Sequence, residues 1–192
     1  VSGAFNFSLS ETAVAVSANN PKWIAAGANA VVGDGQFRQT MFVSQDGGRT
    51  FRSAILPPTI PEPFTFGDPT VAWASDGAVW AGALEGQLVN DPTGVSLGLK
   101  GLSYRSVDRG ASWTFAGSFS GNERLADRPT FWVDSSANSA FRDSLYATWH
   151  NGPVFVTRRR KGAAQWSAPV RVSPLDTQGF GGDLKIDSSG RS

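Results

Sequence analysis

Acidic residues and arginines recur in this 192-residue sequence at or near the starts of short strand-like segments. Asp68-Pro69 and Asp127-Arg128-Pro129 each come directly before such a segment. Carboxyl groups can transfer protons, and guanidinium groups can hold anionic ligands through paired hydrogen bonds. The candidate residues of this kind are Glu11, Glu62, Asp68, Glu123, Arg124, Asp127, Arg128 and Asp183. They can act together only if the fold brings several strand starts to one place.

Other kinds of site are restricted by composition. The sequence has no cysteine, which excludes disulfides and thiolate metal sites. His150 is the single histidine, so a histidine metal cluster is excluded and a Ser-His-Asp triad would depend on this one residue. The glycines at 179–182 precede a strand, whereas a phosphate-binding loop would precede a helix. Calcium could bind carboxylates and loop carbonyls, but no EF-hand spacing occurs, and we predict neither a metal nor a cofactor.

A repeat of nearly sixty residues organises the chain. Thr12–Val16, Thr70–Ala74, Thr130–Asp134 and Asp183–Asp187 align at steps of 58, 60 and 53 residues. Each complete unit divides into four short strand-like segments separated by Gly, Pro, Asn or Asp. Four antiparallel strands in each repeat are typical of a β-propeller blade. A β-sandwich also has short strands at turn-rich intervals, but the regular phase of the repeat favours the propeller.

We therefore predict an all-β fold in which residues 1–192 form a single, partial β-propeller domain. The predicted blades cover about 8–57, 66–120 and 126–174, and a fourth blade starts at about 180–192. An open arc of blades would expose unpaired strand edges. We expect further blades from the rest of a parent chain, or from another chain, to complete the ring.

Two octads repeat 62 residues apart, at Ser44–Phe51 and Ser106–Trp113, with the pattern Ser-x-Asp-x-Gly-x-Thr/Ser-aromatic. The Asp can accept hydrogen bonds from the backbone of a tight turn, the Gly permits a positive φ, and the aromatic ring can pack between sheets. We predict structural roles for the positions that the two octads share. These residues are Ser44, Asp46, Gly48 and Phe51 in the first octad, and Ser106, Asp108, Gly110 and Trp113 in the second.

The matching turn of the third unit, residues 157–166, keeps the closing aromatic Trp166 but has no Asp. Its basic cluster at 158–161 is predicted to be a solvated turn. A site for a polyanion is the alternative, which the absence of interleaved aromatic residues disfavours.

The two octads resemble the Asp-box (BNR repeat) motif of sialidase-like β-propellers, and the resemblance extends over essentially the whole chain. It implies that the motif lies at the turn between the third and fourth strands of a blade, and that the complete ring has six or so blades. It also implies that arginines and carboxylates surround the central channel at the opposite face. Strand direction places the candidate residues of the opening paragraph on that face.

The resemblance implies a secreted protein that acts on or binds glycans, and a glycoside hydrolase of the sialidase type. In such enzymes arginines bind the substrate carboxylate, an Asp is the acid/base, and a Tyr activated by a Glu attacks the anomeric carbon. Asp68, Asp127 and Arg128 are the candidate catalytic residues. Glu62, Glu123 and Arg124 are the candidate ligand-binding residues. Tyr146 falls inside a predicted strand, where a packing role is expected.

Two alternatives stay open. The Phe-Arg-Ile-Pro motif of typical sialidases does not occur, so the chain could be a non-catalytic scaffold or binding module for a protein or carbohydrate. Asp68 and Asp127 could also serve only to bond neighbouring backbone at the strand starts. The segment 85–100, rich in Gly, Asn and Asp, is predicted to be a mobile loop that borders the same face or an insertion.

Charge and hydropathy restrict the partners. Lys and Arg number 17 against 16 Asp and Glu, so no overall field attracts nucleic acid or an anionic membrane. No apolar run approaches the ~20 residues of a membrane-spanning helix. The sequence begins at Val1 without a starter Met or a leader, which predicts a trimmed, extracellular protein.

Overall fold

The computed structural model describes residues 9–31, 37–61, 65–92, 94–123 and 125–179. These residues form three four-stranded antiparallel sheets and contain no helix that is long and apolar enough to cross a membrane. The sheets correspond to the three predicted blades, and the predicted all-β propeller fold is confirmed. The predicted start of a fourth blade at 180–192 lies outside the described residues.

Within each blade the strands are hydrogen-bonded in chain order. The strands of blade 1 are β1 (Leu9–Val16), β2 (Ile24–Val31), β3 (Phe37–Ser44) and β4 (Arg52–Ile55). Those of blade 2 are β5 (Thr65–Trp73), β6 (Val79–Asp91), β7 (Gly94–Ser106) and β8 (Thr114–Ser118). Those of blade 3 are β9 (Asp127–Val133), β10 (Leu145–His150), β11 (Val154–Arg159) and β12 (Val170–Arg171). The first strands β1, β5 and β9 are neighbours, and they form the inner side of the arc.

The core consists of two apolar layers, one on each side of blade 2. Alternate residues of β6 supply both layers, because successive side chains of a strand point to opposite faces. Val79 and Ala81 belong to the layer shared with blade 1, whereas Trp80 and Leu84 belong to the layer shared with blade 3. Gly82 leaves room in the second layer, since a Cβ there would lie 2.7 Å from the ring of Phe131. The period of two thus gives blade 2 one apolar face for each neighbour.

The first octad forms the predicted turn between β3 and β4. Ser44 Oγ donates to Asp46 Oδ1 at 2.8 Å, and it accepts the Gly48 N–H at 2.8 Å. Asp46 Oδ1 accepts the Thr50 N–H at 3.0 Å, and Asp46 Oδ2 accepts the Thr50 hydroxyl at 2.6 Å. These hydrogen bonds, chiefly those from Thr50, hold the pKa of Asp46 well below its usual range. Gly48 has the predicted positive φ, at 88°, and Phe51 is half-buried.

The second octad repeats this arrangement between β7 and β8. Ser106 Oγ donates to Asp108 Oδ1 at 2.6 Å and accepts the Gly110 N–H at 2.7 Å, and Gly110 has a φ of 84°. Hydrogen bonds from Ser106 and Ser112 lower the pKa of Asp108 to about 2. Trp113 is only 8% exposed and packs in the layer between blades 1 and 2. The second octad thus has the same Ser-to-Asp and Gly-to-Ser hydrogen bonds and the same positive φ as the first.

The prediction of a loop at 85–100 is wrong. The β6–β7 ladder is continuous from Val79 with Ser106 to Asp91 with Gly94, so this segment is a long hairpin closed by a tight turn. Leu88, Leu97 and Leu99 alternate with other residues as a strand requires, and Leu88 lies directly opposite Leu97. The Gly, Asn and Asp residues suggested a loop, but the backbone ladder tolerates them because the period-two pattern is maintained.

Candidate active site at the starts of the inner strands

Each inner strand contains the same β-bulge, in which two of its residues lie opposite one residue of the second strand. The extra residues lie between Ser10 and Ala13 in β1 and between Gly67 and Thr70 in β5. In β9 they lie between Asp127 and Thr130. Ala13 and Thr70 are therefore equivalent positions, so the first repeat step is 57 residues in the structure, whereas the sequence alignment gave 58.

The first residue of each bulge has a left-handed backbone. Glu11 has a φ of 48°, Asp68 of 50° and Arg128 of 47°. This conformation costs a residue other than glycine about 1 kcal/mol. The other such residues in the described part of the chain, Arg109 and Asp143, lie at the opposite face. Strained backbone that recurs at one end of a fold is typical of a functional site.

Three carboxyl groups meet at this end of the arc. Burial, together with hydrogen bonds to the side chains of Glu11 and Asp127, raises the pKa of Asp68 to about 7. The Arg128 N–H is shared by Asp68 Oδ2 at 3.1 Å and Asp127 Oδ1 at 2.9 Å. The carboxyl group of Asp68 is therefore a far weaker acid than an ordinary Asp. The bonds to the Arg128 N–H are also those expected if the two Asp residues bond neighbouring backbone.

Two buried polar side chains support the carboxyl groups from equivalent positions of the second strands. Asn29 of β2 lies opposite Ser10, and its Nδ2 donates to Glu11 Oε2. His150 of β10 lies opposite Asp127, and its Nε2 is 3.6 Å from Asp127 Oδ2. Asn29 Oδ1 and His150 Nε2 are buried and have no hydrogen-bond partner among the described residues.

The remaining predicted site residues are dispersed or lie outside the described residues. Glu123 accepts a hydrogen bond from Asn151 Nδ2 at 3.1 Å and does not contact the three carboxyl groups. Tyr146 is half-buried in β10 opposite Trp132, away from the strand starts, as a packing role requires. The part of the chain that the structure describes contains no group of His, Asp and Glu arranged to hold a metal ion. Glu62, Arg124 and Asp183 lie outside the described residues.

Asn29 was not a candidate in the sequence, and His150 was considered only for a metal site or a hydrolase triad. The signal that connects them to the carboxyl groups is their register. Each lies opposite the residue that precedes a bulge, on a neighbouring strand. This signal can be used only when the register of the paired strands is known at the level of single residues.

A groove of about 620 Å³ runs along the inner strands. Thr12, Pro69 and Pro129 line it, and each of these residues directly follows the first residue of a bulge. The groove therefore begins where the carboxyl groups meet. Its volume lies within the range of pockets that hold small molecules, which is about 300–1,000 Å³.

Comparison with solved structures identifies the same architecture in carbohydrate-active enzymes. The Hadza microbial sialidase Hz136 is 14% identical with a TM-score of 0.56, and the match covers 84% of this chain and 33% of that one. An α-L-arabinofuranosidase of Fusarium graminearum in complex with arabinobiose is 12% identical with a TM-score of 0.53, over 89% of this chain and 50% of that one. A structure of such an enzyme from the same organism with an iminosugar inhibitor is 13% identical with a TM-score of 0.51, over 86% and 50%.

This chain thus spans one third to one half of the length of these enzymes. No protein-family model matches the sequence, and a comparison with curated proteins gives no match. At such low identity the likeness concerns the fold, which is the propeller fold of these glycosidases. The chemistry must be argued from the residues of the chain itself.

Proposed function

We propose that this chain carries the acid/base part of a glycosidase site, with Asp68 as the proton donor. The observation that supports this most directly is the burial of Asp68 beside the carboxyl groups of Glu11 and Asp127, which raises the pKa of Asp68 to about 7. A glycosidase requires one carboxyl group that is still protonated near neutral pH, because it must protonate the oxygen of the leaving group. The solved propellers with this fold include a sialidase and arabinofuranosidases, which is the class of reaction that the carboxyl groups suit.

In this proposal each residue has a separate role. Asp68 protonates the glycosidic oxygen of a sugar bound in the groove, while Asp127 stabilises the positive charge that develops at the anomeric carbon. The Arg128 N–H holds both carboxyl groups in place. The exposed Arg128 side chain binds an anionic substituent of the substrate, such as the carboxylate of a sialoside. The remaining catalytic groups would come from blades beyond the described residues, and extracellular location stays a prediction.

A non-catalytic glycan-binding module is the second candidate. The shared Arg128 N–H favours it, because this contact alone gives Asp68 and Asp127 a structural role. The missing Phe-Arg-Ile-Pro motif favours it as well. In that case the groove would bind sugars without turnover, and the Asp68 proton would serve only as a hydrogen-bond donor to them.

Hydrolysis of a fluorogenic sialoside and a fluorogenic arabinofuranoside by the intact protein separates the two candidates. We expect Asp68→Asn to lower kcat roughly 100-fold, the usual contribution of a positioned general acid. We expect Asp127→Ala to lower kcat as well, and Arg128→Ala to raise KM for the sialoside more than for the neutral substrate. The wild-type rate should fall as pH rises through about 7, and this limb should be absent in Asp68→Asn.

Asp108→Asn is the matched control, because it changes an Asp of the same blade at the opposite face. It should leave kcat and KM unaltered. Unchanged turnover in Asp68→Asn, Asp127→Ala and Arg128→Ala would refute the proposed site. Glycan binding without any turnover would establish the binding module instead.

A further inference from the structure

A second concave site, of about 450 Å³, lies between blades 2 and 3 at the face that carries the Asp boxes. Blade 2 contributes Trp80 and Arg105, and the turn after β11 contributes Arg159, Arg160 and Lys161. This site is at the opposite ends of the strands from the three carboxyl groups. An anion site there does not depend on the proposed glycosidase activity, and only the choice of a glycan as the carrier of the anion rests on the proposed function.

Two guanidinium groups are held against one indole ring in this pocket. The Arg105 guanidinium is 5.5 Å from the centroid of the Trp80 ring, and the Arg159 guanidinium is 5.2 Å from it. Arg159 Nη1 also donates to the carbonyl oxygen of Ala116. Because Trp80 is buried, both cations are held in place by the core before any ligand arrives. Such preorganised arginines suit planar or tetrahedral oxyanions.

Donor capacity remains on these arginines. Arg105 Nη2 lies 3.3 Å from Asp76 Oδ2, but Arg105 Nε is buried and has no acceptor among the described residues. A buried N–H without an acceptor is unfavourable by about 1–3 kcal/mol, more when it is charged. Burial and the charge of Arg105 both lower the pKa of Arg159, which an anion between the two arginines would reverse.

The acidic residues of the pocket leave an excess of positive charge. Four basic side chains line it against two acidic ones, Asp76 and Asp143. Asp143 is buried and already accepts Lys161 Nζ at 2.8 Å and the Ser75 N–H at 2.7 Å. These bonds outweigh the effect of burial and lower the pKa of Asp143. Asp143 thus compensates Lys161, while Arg159 and Arg160 have no carboxylate partner among the described residues.

We infer that this pocket binds a single oxyanion, the sulfate or carboxylate group of an acidic glycan, between Arg105 and Arg159. A concave site of about 450 Å³ has room for a sugar that carries one anionic substituent. The carboxylates of Asp76 and Asp143 beside it would repel the successive phosphates of a nucleic acid. The basic cluster at 158–161, predicted to be a solvated turn, thus has an aromatic partner in Trp80, although no aromatic residue is interleaved among its charges in the sequence.

Isothermal titration calorimetry on the full chain tests the inference with four probes: inorganic sulfate, a sulfated disaccharide, a uronate disaccharide without sulfate, and a short single-stranded DNA. We expect the wild-type protein to bind sulfate and at least one disaccharide, and to bind them more weakly as salt is raised. Arg105→Gln and Arg159→Gln should each weaken binding about tenfold or more, the effect of losing a charged hydrogen bond. Asp76→Asn should strengthen it roughly threefold by removing the competing carboxylate.

Arg158→Gln is the matched control, since Arg158 precedes Arg159 on β11 but lies over the ring of Phe141, 5.6 Å from its centroid, outside the pocket. It should leave affinity unchanged. The gain in Asp76→Asn distinguishes a binding site from a loss caused by unfolding. Equal affinity in Arg158→Gln and Arg159→Gln would overturn the inference. Binding of sulfate without either disaccharide would also overturn it, as would tighter binding of a short single-stranded DNA.

Discussion

Asp68 and Asp108 lie at opposite ends of blade 2, and the pKa values of their carboxyl groups are shifted in opposite directions. In the second octad, hydroxyl and backbone donors from Ser106 and Ser112 surround Asp108 and lower its pKa to about 2. At the starts of the inner strands, burial and the carboxyl groups of Glu11 and Asp127 raise the pKa of Asp68 to about 7. An aspartate is thus a hydrogen-bond acceptor at one end of the blade, whereas at the other end its protonated form is favoured.

The difference in pKa follows from where the groups that surround each Asp lie in the sequence. The octad turn is local, and a single octad provides the hydrogen-bond donors that surround its Asp. The neighbours of Asp68 come from blades 1 and 3, since Glu11 precedes it by one repeat and Asp127 follows it by one. Local contacts lower the pKa of Asp108, whereas burial and contacts between repeats raise the pKa of Asp68.

The largest effect on stability is expected at the octad end of blade 2, where Gly110→Ala should reduce the free energy of unfolding by about 2–4 kcal/mol. A Cβ at this position would lie 2.3 Å from Val43 Cγ2 of blade 1, and the φ of 84° is unfavourable for alanine. Gly47→Ala is the control, because its φ of 79° is similar but no atom lies within 4 Å. It should cost about 1 kcal/mol. Equal losses in denaturant unfolding would mean that this turn does not pack against blade 1.

The two aspartates should give opposite pH dependences. Asp68 has a native pKa of about 7 against an ordinary value of 3.8, so the native state binds the additional proton between these values. Wild-type stability should therefore fall as pH rises from about 4 to about 7. Asp68→Asn stays neutral, so it should match the wild type near pH 4 and exceed it by a few degrees in Tm above about pH 7.

Asp108→Asn should show the reverse. A lowered native pKa stabilises the fold above the ordinary value of 3.8, and this stabilisation is lost as pH falls through about 2. The variant should be less stable than the wild type at neutral pH by about 1 kcal/mol or less, because the site is exposed. The gap should close between about pH 4 and pH 2. Parallel curves for Asp68→Asn and Asp108→Asn would contradict the contrast between the two ends.

The smallest expected effect is a shift in the pKa of Asp68 alone. Glu11→Gln removes a carboxyl group that raises the pKa of Asp68, so the Asp68 pKa should fall while the fold is maintained. The carboxyl carbon resonance of Asp68, followed by NMR against pH, measures this directly. Glu123→Gln is the comparison, since Glu123 binds Asn151 outside the cluster and should leave the titration unmoved. An Asp68 pKa that is the same in wild type and Glu11→Gln would show that the two side chains do not share a proton.

The sequence predicted the blades, because their signals are local. Alternation in β6 and the octads ending at Phe51 and Trp113 lie within single strands or turns, so they could be read without knowing the fold. Asp68, Asp127 and Arg128 could be assigned to one face from strand direction alone. The structure then brought these residues together.

The bulges and the paired arginines could not be predicted in this way. A residue before proline is expected to be extended, so Asp68-Pro69 and Arg128-Pro129 gave no indication of a left-handed backbone. Trp80 is nearly eighty residues from Arg159 in sequence, and only the packing of two blades places the ring beside the basic turn. The sequence of the basic cluster therefore gave no indication of its aromatic partner.

The three bulges also bear on how such a protein can diversify. Each blade presents one side chain at the same backbone irregularity, and the three present Glu11, Asp68 and Arg128. The ladder on both sides is formed by backbone groups, so an exchange at this position leaves the pairing of the strands in place. Duplication of a blade followed by one substitution would then supply a new chemical group at the rim of the groove. In protein engineering, these three positions are the ones to randomise together when a different substrate is sought.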